Sequence, residues 1–220
     1  PTGLLGINIG PNKDTSDMTS DFLKCANIFF PLGDYLTINI SSPNTKGLRD
    51  FHKEENLNNL LTKINQIRKE SNFNKSFLLK ISPDLEDSFI DSIIGLSIKH
   101  NINGLILTNT TDSNRENLID KKKNENGGLS GKPIQNLSTN LIKKFYKQLK
   151  GKIPIIGVGG IDSGESAFEK ITSGASAVQL YTGMIFKGPT IVKDIKSGLI
   201  NILKDKGFKN INEAVGTNLN

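Results

Sequence analysis

The feature that most constrains the fold is a sixfold alternation of short apolar runs with segments of helical periodicity. The apolar runs are continuous, a pattern typical of parallel strands covered on both faces, whereas half-exposed strands alternate polar and apolar residues. The predicted strands are Leu4–Gly10, Tyr35–Ile40, Phe77–Ile81, Gly104–Asn109, Ile153–Gly160 and Ala177–Tyr181. The predicted helices are Asp17–Phe30, Glu54–Lys69, Ser82–Lys99 with Ser82 as N-cap, Ser138–Lys150, Gly164–Ser173 and Thr190–Lys206.

Two architectures suit this alternation, a doubly wound open sheet and a (β/α)8 barrel. Each predicted strand ends in residues that can bind a ligand: Asn8, Asn39 with Ser42, Lys80, Thr108 with Asn109, Gly159 with Gly160, and Tyr181 with Thr182. A barrel gathers all these ends into one ring, whereas an open sheet has a single switch point. We therefore predict an α/β TIM barrel that forms one domain over residues 1–220. The chain supplies six of its eight βα units, and the other two are expected upstream of Pro1.

Composition and scattered polar residues exclude several classes of site. The chain has 28 Lys and Arg against 22 Asp and Glu, but the basic residues are spread over helices, which indicates a solvated surface rather than a nucleic-acid site. The single cysteine, Cys25, is predicted to be a core thiol on a helix. His52 and His100 are predicted at the surface, and no His, Cys or carboxylate cluster suggests a metal. No signal peptide or long apolar run is present.

The stretch 38–49 begins as a strand and then breaks into the turn S-S-P-N. In an arbitrary sequence these letters indicate only a turn. Asn39 is nevertheless an amide within an apolar strand, as is Asn8, and a buried amide requires hydrogen-bond partners. Lys80 has two interpretations, a lysine that reaches solvent or a cation that faces an anionic ligand. Its apolar neighbours favour the second.

Glycines mark the last two strand ends, in the sequences G-V-G-G and Y-T-G. Loops after the last two strands of a barrel commonly bind phosphate, because glycine lets backbone N–H groups approach the oxygens. G-V-G-G alone could equally serve strand–helix packing. Together with Y-T-G on the next strand, it favours a phosphate site.

These motifs together resemble the dihydroorotate dehydrogenase family. They are G-I-N-I-G, I-N-I-S-S-P-N-T-K-G-L-R, L-L-K-I-S-P-D-L, L-T-N-T-T, G-G-L-S-G-K-P-I, I-P-I-I-G-V-G-G-I and V-Q-L-Y-T-G-M-I-F-K-G-P, in the family's order across nearly the whole chain. The serine at position 42 resembles class 2, the quinone-dependent and membrane-associated form, since class 1 enzymes have cysteine there.

The resemblance implies a flavoenzyme that oxidises dihydroorotate to orotate in pyrimidine (UMP) synthesis, with FMN as hydride acceptor and a quinone as final acceptor. Ser42 corresponds to the catalytic base. The pyrimidine-binding positions are Asn39, Asn44, Asn109 and Thr110. The flavin-binding positions are Asn8, Asn39, Lys80 and Thr108, with Gly131, Gly160, Tyr181 and Thr182 nearest the ribityl phosphate. Residues 46–53 correspond to a mobile lid that excludes water from the base.

The resemblance also implies parts that lie before Leu4 in the family: two strands, a substrate-binding lysine, and N-terminal helices that form the quinone tunnel and contact the membrane. Residues 1–220 alone are therefore expected to be inactive and poorly folded. The implied location is peripheral, on the cytoplasmic face of a bacterial cell membrane or on the mitochondrial inner membrane. Alternatives are a class 1 enzyme, a dihydrouridine synthase, or a flavin- or phosphate-binding barrel without turnover.

Overall fold

The sheet contains six parallel strands whose order in space is their order along the chain. The computed structural model describes residues 3–72, 74–113 and 115–219. The strands are β1 (Gly6–Ile9), β2 (Tyr35–Asn39), β3 (Ser76–Ile81), β4 (Gly104–Leu107), β5 (Ile155–Val158) and β6 (Ala177–Gln179). Every neighbouring pair is parallel. The order never reverses, as a doubly wound sheet would require, so the barrel prediction is confirmed and the strands form six βα units of that barrel.

Helices follow the strands and pack pairwise outside the sheet. They are α1 (Met18–Phe29), α2 (Glu54–Glu70), α3 (Ile90–Lys99), α4 (Gln135–Leu149), α5 (Gly164–Thr172), α6 (Thr182–Lys187), α7 (Ile191–Asp205) and α8 (Ile211–Ala214). Short 3-10 turns span Leu48–His52, Asp87–Phe89, Lys132–Ile134 and Thr217–Leu219. Contacts between α1 and α2, α2 and α3, α3 and α4, and α4 and α5 continue around the sheet, and α7 packs on α5.

The main core lies between the sheet and the helices. Alternate strand residues face it, among them Ile38, Leu79 and Leu107, which are completely buried. From the helical side, α2 contributes a stripe of leucines and isoleucine at three- and four-residue spacing. The Phe30 and Phe77 rings meet edge to face with centroids 6.0 Å apart, joining the end of α1 to β3.

The predicted start of the third helix is wrong. Ser82 does not cap a helix; its hydroxyl accepts a hydrogen bond from the backbone N–H of Asp84 at 3.2 Å and closes a turn. Serine forms such local turns readily, so Ser-Pro is an ambiguous helix signal. The chain then passes through the Asp87–Phe89 turn, and α3 begins only at Ile90.

Both histidines are buried, so their predicted surface position is also wrong. His100 is 7% exposed, and its ring nitrogens lie 3.1 Å from Asn65 Nδ2 and 3.0 Å from Asn58 Oδ1. His52 is 4% exposed, and its Nε2 has no hydrogen-bond partner among the described residues. Burial and then the charge of Arg49 lower the pKa of His52 to about 4. Cys25 is partly buried against the core, as predicted.

Apolar residues are exposed beside both edge strands. Before β1, Leu4 and Leu5 are largely exposed, and after β6 the same holds for Tyr181, Ile185 and Phe186. Within the described ranges, β1 pairs with β2 alone and β6 with β5 alone. An exposed parallel edge is uncommon because such sheets are normally covered or closed.

We expect Gly164→Ala to destabilise the protein by roughly 1–3 kcal/mol, the usual cost of overpacking. A Cβ there would lie 2.8 Å from the backbone of Gly198, where α5 and α7 meet. The matched control is Gly95→Ala at an exposed position of α3, where a Cβ meets nothing within 4 Å and should stabilise the protein by about 0.5–1 kcal/mol. Denaturant unfolding measures both changes. Equal effects at the two glycines would contradict the close α5–α7 contact.

We expect His52 to make stability depend on pH below neutrality. Its folded pKa of about 4 lies below the ordinary value of 6.5, so between these values the unfolded chain binds more protons. Stability from the neutral ring is complete above pH 6.5 and is lost as the pH falls towards 4, by up to roughly 3 kcal/mol. Comparing the unfolding free energies of the wild type and His52→Gln from pH 7 to 4 tests this. Parallel profiles would show that the ring titrates normally.

Candidate active site

A cavity of about 830 Å³ opens at the carboxyl ends of the strands. Strand register brings its polar residues together, because directly paired residues of parallel strands point to the same face. Asn39 pairs with Lys80, and Lys80 pairs with Ile106, which places the two polar side chains next to each other. Eight of the predicted site residues line the cavity: Lys80, Thr108, Asn109, Thr110, Gly131, Gly160, Tyr181 and Thr182.

A hydrogen-bonded amide cluster joins the ends of β2 and β4. Ser41 Oγ donates to Asn39 Oδ1 at 2.5 Å, and Asn109 Nδ2 donates to Ser41 Oγ at 2.9 Å. Asn109 Oδ1 in turn accepts from the backbone N–H of Thr110 at 2.7 Å. Asn39 therefore reaches the cavity wall through Asn109. The cluster leaves amide groups at the surface of the cavity, and these suit a planar ligand with both donors and acceptors.

Ser42 and Asn44 follow Ser41 on the rim and do not line the cavity as it stands. Ser42 is partly buried, and its hydroxyl accepts from the backbone N–H of Asn44 at 3.2 Å, closing the S-S-P-N turn. This bond leaves the Ser42 hydroxyl proton free to be donated elsewhere. The described residues provide no hydrogen bond from Ser42 to a side-chain acceptor that could serve as a base.

Lys80 places a lysine side chain on the inner wall of the cavity. Burial lowers the pKa of its ammonium group, since an apolar environment disfavours the charged form. In the described part of the chain, no carboxylate lies within ion-pair distance of its Nζ. Buried cations are usually paired, so an anionic group in the cavity would be favoured next to this side chain.

Glycines form the opposite wall. Gly131 and Gly160 have φ of 74° and 76°, in the left-handed region where other residues are strained. A Cβ on Gly160 would lie 2.4 Å from Gln135 Cβ, and one on Gly131 would lie 2.9 Å from Thr182 Cγ2. Thr182 Oγ1 also donates to Ser130 Oγ at 2.8 Å, which joins the loop that contains Gly131 to the start of α6. Backbone therefore lines this wall closely, as in phosphate-binding loops.

Asn8 lies outside the cavity, and its expected burial is wrong. It is exposed on β1, where it pairs with Thr37 of β2. The side chain faces the side of the sheet occupied by Thr37 rather than the outer core. Because the part of the chain that the structure describes gives β1 a neighbour on one side only, the position that the apolar pattern predicts to be buried is open to solvent.

A charged network on the rim was not predicted. Arg49, which follows β2, pairs with Asp84 at 2.9 Å and with Asp112 at 2.8 Å. These aspartates follow β3 and β4, so one guanidinium links three successive loops. The hydrogen bond from Arg49 lowers the pKa of Asp112. The signal was available in the sequence, because acidic residues follow two strands whose ends must meet.

The segment 46–53, expected to be a lid, is anchored at its second half. Leu48 and Phe51 are buried beside His52 in the 3-10 turn, and the Phe51 ring meets Phe22 of α1 edge to face at 5.7 Å. Lys46 and Gly47 are exposed. The part of this segment that precedes the anchored turn and is free of the core is therefore Lys46 and Gly47.

Comparisons with known proteins agree on one family. The family model described as dihydroorotate dehydrogenase matches residues 2–203. A mouse protein, dihydroorotate dehydrogenase (quinone), mitochondrial, is 44% identical over 96% of this chain. Dihydroorotate dehydrogenase (quinone) of Trichodesmium erythraeum is 43% identical over 96%. The crystal structure of the Eimeria tenella enzyme with ferulenol superposes with a TM-score of 0.93 at 36% identity and covers 98% of the chain.

The chain spans only part of these relatives. It corresponds to 54% of the mouse protein, 57% of the Trichodesmium protein and 62% of the Eimeria chain. The relatives include mitochondrial and bacterial proteins. Among the residues that the structure describes, no helix combines the length and apolar character needed to cross a bilayer.

Proposed function

The chain belongs to the dihydroorotate dehydrogenase family, and on that premise we propose that it forms most of the catalytic barrel of a quinone-dependent flavoenzyme. The reaction is oxidation of dihydroorotate to orotate in pyrimidine synthesis. The observation that carries the proposal is the cavity itself, with an amide cluster on one wall, backbone glycines on the opposite wall, and between them Lys80, which has no ionic partner among the described residues. A chain that supplies six of eight βα units leaves both sheet edges open, so residues 1–220 by themselves are proposed to be inactive.

The cavity residues fit FMN as the cofactor. The glycine wall is backbone that packs closely on Gln135 and Thr182, where a Cβ would clash, and backbone N–H groups on such a wall suit the phosphate end. Gly131, Gly160, Tyr181 and Thr182 are assigned to that end. Lys80 and Thr108 are assigned to the isoalloxazine ring together with Asn39, and Asn8 to the same ring from β1. The volume of about 830 Å³ lies within the range of cofactor pockets.

The substrate is assigned to the amide side of the cavity. Asn39, Asn44, Asn109 and Thr110 would hold the pyrimidine, whose ring amides and carbonyls match amide side chains in both donor and acceptor character. The Asn39–Ser41–Asn109 hydrogen bonds support this assignment, because they fix the amide orientations before a ligand arrives.

Oxidation removes two hydrogens from adjacent carbons, a proton from C5 and a hydride from C6. When bound, FMN accepts the hydride. Ser42 is assigned to remove the C5 proton. A serine hydroxyl is a weak base at its ordinary pKa and requires a hydrogen-bonded path that carries its own proton away. The 46–53 segment is assigned to exclude water from this step, and the Arg49 pairs with Asp84 and Asp112 restrict where it lies.

The final electron acceptor is assigned to a quinone that reaches the enzyme through an N-terminal region outside this chain. The same region would provide peripheral membrane contact, on the cytoplasmic face of a bacterial membrane or on the mitochondrial inner membrane. Two relatives are named as quinone enzymes, which supports the acceptor class. Ser42 argues against the cysteine-using class 1 form, and the scattered lysines argue against a tRNA-modifying dihydrouridine synthase.

We expect Ser42→Ala in the complete enzyme to slow anaerobic flavin reduction by dihydroorotate roughly 10²- to 10⁴-fold, the usual contribution of general base catalysis. Loss of the visible flavin absorbance measures this step directly. The matched control is Ser92→Ala, a serine on α3 whose hydroxyl donates to Phe89 O of the preceding turn. Undiminished reduction in Ser42→Ala would refute the base assignment.

The same assay separates the rival functions. A wild-type enzyme that binds FMN but never reduces it with dihydroorotate would indicate a flavin-binding barrel without this activity. Residues 1–220 assayed alone should give no turnover, and stable FMN binding with turnover by that segment would refute the proposed incompleteness.

Replacing Lys80 with Met should make the flavin harder to reduce. A cation next to the ring stabilises the negative charge gained with the hydride, so its removal should lower the two-electron reduction potential by roughly 30 mV or more. Lys147→Met, an exposed lysine on α4, is the matched control. Spectroelectrochemical titration gives both potentials. A potential unchanged in Lys80→Met would remove this role.

A further inference from the structure

Lys170 is a fully buried lysine that the proposed reaction does not use. It lies on α5 with 0% of its surface exposed and does not line the cavity. In the described residues no carboxylate lies within ion-pair distance of its Nζ. Lysine is almost never completely buried without such a partner, so its position requires a specific reason.

The two hydrogen bonds of Lys170 both reach the first turn of α4. Its Nζ lies 2.7 Å from the carbonyl oxygen of Gln135 and 2.6 Å from Thr139 Oγ1. Burial lowers the pKa of this amine to about 8. A neutral amine still carries two N–H groups, so both bonds can persist in either protonation state. The neighbouring Glu169 strengthens the same link, because Gln135 Nε2 donates to its Oε2 at 2.5 Å.

The first turn of α4 supports both glycine loops of the cavity. It continues directly from the 3-10 turn Lys132–Ile134, which follows Gly131. On its other side it contacts Gly160, where a Cβ would come within 2.7 Å of Gln135 Cα. Ser138 Oγ also donates to the carbonyl oxygen of Val158, at the end of β5. The spacing between the two loops is therefore determined by where α4 begins.

We propose that Lys170 is a positioning residue for the cofactor's phosphate: by holding the first turn of α4 against α5, it fixes the spacing between Gly131 and Gly160. The side chain acts entirely through Gln135 and Thr139 and touches no ligand. This inference rests on the proposed FMN site. It adds Lys170 as a residue that determines the geometry of that site without lining the cavity.

The test is Lys170→Met in the complete enzyme, a change that keeps the length of the side chain and removes both hydrogen bonds. Titration of the apoprotein with FMN should show affinity weakened about tenfold or more. The 31P resonance of bound FMN should shift, because the backbone donors around the phosphate move. The Michaelis constant for dihydroorotate, which is bound on the amide wall, should stay within about twofold.

The matched control is Thr172→Val, also buried on α5. Its hydroxyl donates within the helix and accepts from Asn218 at 2.7 Å, so it faces the C-terminal segment and not α4. Thr172→Val should lower thermal stability but leave FMN affinity and the 31P resonance unchanged. If Lys170→Met lowers only the stability, as Thr172→Val does, the proposal is overturned.

A second variant keeps the inference testable if Lys170→Met does not fold. Thr139→Val removes one of the two acceptors and should shift the 31P resonance in a well-folded protein, with a smaller loss of affinity. An unchanged resonance in Thr139→Val would overturn the proposal. Wild-type enzyme that fails to bind FMN would instead refute the proposed function, which separates the two outcomes.

Discussion

The parallel register of β2, β3 and β4 is the constraint on which the site depends. Because paired residues share a face, Asn39, Lys80 and Ile106 form one row across the sheet, and each strand ends close to that row. The backbone bonds that continue the ladder carry the register into the loops: Asn109 N donates to Ile81 O, and Thr108 N donates to Val158 O. The residues that form the amide cluster therefore leave the sheet already adjacent.

Much of this arrangement is readable from the sequence. Continuous apolar runs define six strands, and polar residues at their carboxyl ends must meet once the strands are parallel, which anticipates Lys80 beside Asn39 and Asn109. The failures have physical causes. Whether a histidine is buried depends on the residues that pack on it. The residues that contact His100 are distant in sequence, because Asn58 lies 42 residues away and Asn65 lies 35 residues away. The burial of Asn8 requires a second neighbouring strand, which the described residues do not provide.

Tertiary contacts also restrain the 46–53 segment, which the sequence predicts to be a mobile lid. Its Leu48 and Phe51 have the three-residue spacing of a short helical turn, and that turn inserts them into the core beside α1. Arg49 lies between them and pairs with Asp84 and Asp112 on the next two loops. Such partly exposed pairs contribute little to stability individually, but a guanidinium shared by two carboxylates restricts where the loop can lie. The apolar anchor and the ionic contacts together determine how far the rim near Ser42 can open.

The two walls of the cavity are held by different means, and the difference follows from their chemistry. The amide wall is maintained by hydrogen bonds among the same side chains that would contact a ligand. The groups that order this wall are therefore also the groups that would recognise the ligand.

The glycine wall has no side chains at Gly131 and Gly160 that could hold its shape. Its shape must come from outside, from Gln135 in the first turn of α4, which packs on Gly160, and from Thr182 at the start of α6, which packs on Gly131. A buried lysine that has no acidic partner among the described residues is costly, but it adds donors to the Gln135 carbonyl oxygen and to Thr139 Oγ1, which also donates to that carbonyl at 2.9 Å. A cavity wall made of backbone is therefore supported by polar side chains that pack behind it, and Lys170 and Glu169 of α5 are two such side chains.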